Sequence, residues 1–87
     1  MGRQQLTLID KATGRQVTVE VDPTWTIDEL YQELKRSGYV DPTETVVFLK
    51  PGNNGELVPI NSTAVQDLLT LQNTGVTPMF ERQVIKE

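Results

Sequence analysis

The chain contains no cysteine and no histidine, and among its 87 residues only five are aromatic and six are glycine. Without cysteine there is no disulfide framework, no thiolate nucleophile, no cysteine-held iron–sulfur cluster and no thiolate zinc site. Without histidine there is no imidazole base and no imidazole metal ligand, which removes the Ser-His-Asp and Cys-His mechanisms and the zinc hydrolase signatures. Carboxylate, lysine and hydroxyl chemistry remain, but ligand sites need a cleft of several hundred Å³ and so short a chain has little depth in which to make one. The expectation is a protein that is not an enzyme and carries neither cofactor nor metal. No apolar run approaches the ~20 residues of a membrane-spanning helix, and Met1-Gly2-Arg3-Gln4-Gln5 lacks the apolar core of a signal peptide. A cytoplasmic protein without membrane contact is expected, so the sequon Asn61-Ser62-Thr63 is read as chance. Basic residues are also few, eight against twelve acidic ones for a net charge of −4, and they are scattered. Nucleic-acid binding, which is driven by clustered cations, is therefore not expected.

What is present reads as one globular domain over residues 1–87, at 37% hydrophobic and 23% charged residues. Leu6 and Leu8 share a face of a first strand, and Val17, Val19 and Val21 alternate with Thr18 and Glu20 in a second. Between them Asp10-Lys11-Ala12-Thr13-Gly14 suits a short loop in which glycine adopts positive φ. Thr26 and Glu29 form a capping box, Trp25 before the cap is placed to staple onto Leu30, and Ile27, Leu30, Tyr31 and Leu34 make one apolar stripe. Lys35, Arg36 and Gly38 end this helix. Asp28, Glu29 and Glu33 fall on its solvated face.

Thr45 to Leu49 predicts a third strand, with Val46 and Phe48 on one face and Val47 and Leu49 on the other, away from the helix. A loop at Lys50 to Gly55 leads to a short strand from Leu57 to Ile60, placed at an edge by Pro59. Ser62 or Thr63 is expected to cap a short second helix carrying Val65, Leu68 and Leu69. A turn at Asn73-Thr74-Gly75 precedes a last strand from Met79 to Ile85. Its two adjacent apolar pairs, Met79-Phe80 and Val84-Ile85, leave its inward face open.

The order strand, strand, helix, strand, short strand, short helix, strand predicts an α+β fold, a mixed sheet with one main helix packed on one face. Thr13-Gly14 through Asp22-Pro23, then Thr26-Ile27, Gly38, Asp41 and Val46-Val47-Phe48, resembles the ubiquitin family in its turn, its acidic-proline pair and its helix start. The resemblance covers most of Leu6 to Leu49 and beyond Lys50 reduces to the order of elements. It implies a ubiquitin-like β-grasp in which the first and last strands lie side by side.

The resemblance also implies two functions. Relatives that become attached to other proteins end in a flexible tail with two glycines, whereas this sequence has none after Gly75 and closes on Arg82-Gln83-Val84-Ile85-Lys86-Glu87. The favoured expectation is non-covalent binding of a protein partner, such as a receptor or a secretion component, through the exposed sheet face. The alternative is a prokaryotic-type modifier activated by an E1-like enzyme after C-terminal processing. The family's contact patch maps onto Ala12 in the first turn, Val47 with Leu49 on the third strand, and Arg82 or Gln83 on the last. With Ala12 smaller than the family's leucine, the patch is expected to be reduced or altered.

Overall fold

Alternation of apolar and polar residues opens the chain as a hairpin. β1 (Gln4–Asp10) and β2 (Gln16–Val21) pair antiparallel, with Leu6 opposite Val19 and Leu8 opposite Val17. These four side chains and Val21 are all buried on one face, as a two-residue period requires. The connecting turn is closed by Asp10, whose carbonyl accepts from Gly14 N at 2.7 Å and whose Oδ1 accepts from Ala12 N at 3.0 Å. Gly14 sits at φ +74 with open space where a Cβ would lie, so the backbone conformation alone calls for glycine there. These features come from a computed structural model that describes residues 2–85; Met1 and the tail residues Lys86 and Glu87 lie outside them.

Helix α1 (Ile27–Arg36) starts with the expected reciprocal cap. Thr26 Oγ1 accepts from Glu29 N at 3.2 Å, and Glu29 Oε1 accepts from Thr26 N at 2.8 Å. Its apolar stripe buries Leu30 and Leu34 completely, with Trp25, Ile27 and Tyr31 packed half-buried at the margin of the core. At the other end Gly38, at φ +85, donates to Lys35 O at 3.1 Å while Tyr39 N donates to Leu34 O at 2.9 Å. That is the Schellman arrangement, and it turns the chain so that Val40 enters the core. Thr26→Ala is expected to lower stability by about 1 kcal/mol, read as a shifted urea midpoint at unchanged slope, with Thr26→Ser recovering most of it.

Beyond α1 the chain forms β3 (Glu44–Pro51), β4 (Leu57–Pro59), α2 (Val65–Asn73) and β5 (Met79–Val84). The five strands make one mixed sheet in the order β2-β1-β5-β3-β4, with β1 and β5 parallel at its centre and the other pairs antiparallel. The fold is α+β. Phe80 of β5 faces Phe48 of β3, and both join Leu6, Leu8, Leu30 and Leu34 in the core. Val65, Leu68 and Leu69 of α2 complete it.

The start of α2 differs from expectation. Its cap position is Ala64, with no side-chain capping bond. Ser62 Oγ accepts from Ala64 N at 3.1 Å and donates to the Asp67 carboxylate, bracing the turn one step upstream. The reason is tertiary: Val65 N donates to Trp25 O at 3.0 Å and Ile27 N donates to Thr63 O at 2.9 Å. The starts of the two helices thus satisfy each other's orphan amides, and α2 has no need of a hydroxyl cap.

α2 also completes the sheet. β5 reaches only Ile9 and Asp10 of β1, which leaves the upstream edge of β1 without a strand among the described residues. Gln72 fills part of this gap with its amide, Oε1 accepting from Thr7 N at 2.7 Å and Nε2 donating to Gln5 O at 3.0 Å. Two backbone groups at the open edge are satisfied in this way.

Candidate functional site: the outer sheet face

Cross-strand pairs share a face, so the register fixes what each face presents. Phe48 pairs with Phe80 and Val46 with Arg82 on the helix side, whereas Val47 pairs with Glu81 and Leu49 with Met79 on the outer side. Met79 also pairs with Ile9 of β1. Ile9, Met79 and Leu49 therefore form one row across the three central strands on the outer face, and Val47 stands next to Leu49 along β3, beside Glu81. Ile9, Met79 and Val47 are half-buried and each keeps some accessible surface.

Leu49 does not. Flanked by Met79 on one side and Pro59 on the other, it retains only 6% of its surface. It backs the patch and offers almost no contact area. Ala12 is exposed in the β1–β2 turn. Lys11 of the same turn donates from its backbone to Phe80 O at 2.9 Å, and its Nζ lies 4.0 Å from Glu81 Oε2, the residue paired with Val47. This exposed ion pair contributes little energy, but with the backbone bond it holds the turn beside β5.

Arg82 belongs to the other face. It follows Phe80 by two residues and opposes Val46, so its side chain lies on the helix side of the sheet. There its Nε is 3.2 Å from Asp10 Oδ2 and its Nη1 3.8 Å from Glu44 Oε2. The Nε is buried and not aligned for a hydrogen bond, so the contact is one of charge more than of direction. The β5 residues that share a face with Val47 are Met79, Glu81 and Gln83, so of the two last-strand candidates Gln83 lies on the outer face and Arg82 does not. The sequence-derived set of Ala12, Val47, Leu49 and Arg82 thus does not share one surface: Val47 lies on the outer face with Leu49 behind it, Arg82 on the helix side, and Ala12 in the β1–β2 turn.

Ile9 and Met79 escaped the sequence reading. Ile9 follows Leu8 and falls on the Thr7 face, a signal visible in the alternation of β1. Met79 carried no such signal, because its neighbour Phe80 is equally apolar and only the pairing with β1 and β3 decides which points outward.

Among the described residues no group of three or more carboxylates is arranged to hold a metal ion, and no helix is long and apolar enough to cross a membrane. Comparison with protein-family models, with curated proteins and with solved structures finds no match to this chain.

Proposed function

We propose that this chain is a ubiquitin-like β-grasp protein of the cytoplasm that works by non-covalent binding of a protein partner through its outer sheet face. The β-grasp reading is supported by the strand order, by the parallel pairing of the first and last strands, and by the hairpin and helix start that resemble the ubiquitin family. The binding reading rests above all on one observation: an apolar patch of Ile9, Met79 and Val47, backed by Leu49, spans the three central strands on the face away from the core. A sheet with one face on the core ordinarily presents polar residues on the other.

The patch is small, and because its side chains are already half-buried each gains less than the roughly 1.5–3 kcal/mol of full burial. Association costs consume much of that, so a weak and transient complex is expected. Val47→Glu places a carboxylate beside Glu81 without touching the core. In affinity capture quantified by mass spectrometry, proteins retained by the wild-type chain should be depleted about tenfold or more on the Val47→Glu chain, a loss of at least ~1.4 kcal/mol. Equal retention by the two chains overturns the proposal. Leu49 is unsuitable for this test, because an aspartate there would be buried and would unsettle the sheet.

A further inference from the structure

β3 has a gap along its second edge. Thr43 O accepts from Ile85 N at 2.9 Å, so the ladder to β5 uses the backbone groups of residues 43, 45, 47 and 49. Those of Glu44, Val46, Phe48 and Lys50 point the other way. On that side Phe48 O accepts from Ile60 N at 2.8 Å, in line with the β4 ladder, and Glu44 O accepts from the Tyr31 hydroxyl at 2.6 Å. Val46 lies between the two, where the chain has already left β3 for α2. Its N–H and C=O have no hydrogen-bond partner among the described residues.

The gap opens into a groove of about 350 Å³ between α1 and β3, with Ile27, Tyr31, Val46 and Phe48 as its apolar walls. Asp28 stands exposed on its rim. An adjoining hollow shares Ser62 and Thr63 with the groove and carries Asp67. Among the described residues no lysine or arginine lines either cavity, and neither Asp28 nor Asp67 is in an ion pair. An unprotected strand edge is a template for another strand, and native sheets ordinarily blunt it with lysine, proline or a bulge. At Val46 none of these is present.

We propose that this groove takes an extended basic segment of a protein partner, paired to β3 at Val46. Its backbone completes the edge at Val46, one apolar side chain enters between Ile27 and Tyr31, and flanking lysine or arginine side chains meet Asp28 and Asp67. Main-chain bonds then supply affinity, and the alternate side chains with the acidic rim supply selectivity. This site lies on the helix side of the sheet and is independent of the outer face.

The test uses the full chain, labelled with ¹⁵N, and a short acetylated and amidated peptide of alternating lysine and valine. A glutamate–valine peptide of equal length serves as control. The lysine peptide should shift the amides of Ile27, Tyr31 and Val46 and slow hydrogen exchange at Val46, and the glutamate peptide should do neither. Val46→Pro removes an unbonded N–H at an edge position that tolerates proline, and it should weaken binding about tenfold or more. Asp28→Lys changes only an exposed rim residue and should also weaken it, so the test stands even if the proline variant fails to fold. Val47→Glu should leave binding unchanged, which separates this site from the outer face. The proposal is overturned by the absence of shifts at Val46 at millimolar peptide, by shifts confined to β2 or the outer face, or by an equal response to the glutamate peptide. It is also overturned if the same amides move with protein concentration alone, which would make a second copy of this chain the occupant.

Discussion

Phe80→Ala is expected to cost about 3–5 kcal/mol of folding stability, the largest loss from any single side chain discussed above. Phe80 is fully buried at the centre of the sheet, opposite Phe48, on the strand that joins β1 to β3. Truncation there removes apolar contact on the helix side and leaves a cavity that two flanking strands, each held by its own ladder, have little freedom to close. Against a typical total of about 5–15 kcal/mol, the variant would be marginal at room temperature. Urea unfolding followed by circular dichroism gives the difference directly. Val84→Ala in the same strand provides the contrast, because Val84 is 68% exposed and its truncation should change stability by no more than about 0.5 kcal/mol. A loss below ~1 kcal/mol for Phe80→Ala would mean that the core is packed differently around β5.

Arg82→Leu is expected to cost about 2 kcal/mol, between the small value of an exposed ion pair and the 3–5 kcal/mol of breaking a fully buried one. Arg82 is partly covered and lies between two carboxylates, of which Asp10 is 8% exposed as a residue. Leucine retains the apolar stem but leaves Asp10 and Glu44 without their shared cation. Asp10→Asn in the same background should restore part of the loss, since the amide oxygen can still accept from Ala12 N at the turn. A double-mutant cycle over the two positions measures the coupling, and additive losses would show that the ion pair contributes nothing.

These two residues also mark where the sequence is readable and where it is not. The hairpin and α1 were legible because their signals are local. Val17, Val19 and Val21 alternate, Thr26 and Glu29 are three residues apart, and Gly38 follows the last helical residues directly. In β5 the pattern fails because a central strand of this sheet has apolar residues on both faces, and Met79-Phe80 gives no hint which is which. The position of Arg82 depended on a one-residue choice of register, and such a slip exchanges the faces of every side chain. Alternation in β3 places Leu49 on the outer face, but its burial depends on Met79 and Pro59, which come from other strands. Likewise the cap of α2 is replaced by the carbonyl of Trp25, a partner that no reading of the local sequence contains.

The parallel pairing of β1 with β5 has a mechanical consequence. Gln4 and Val84 lie at opposite ends of the two strands, so a pull that separates them drags β1 and β5 along each other's length. The bonds from Ile9 N to Pro78 O and from Lys11 N to Phe80 O then share the load at once instead of opening one after another. The amide of Gln72, gripping β1 further along, ties a helix to the same strand. A force applied through the two terminal strands therefore meets the sheet in shear, the direction in which it resists best.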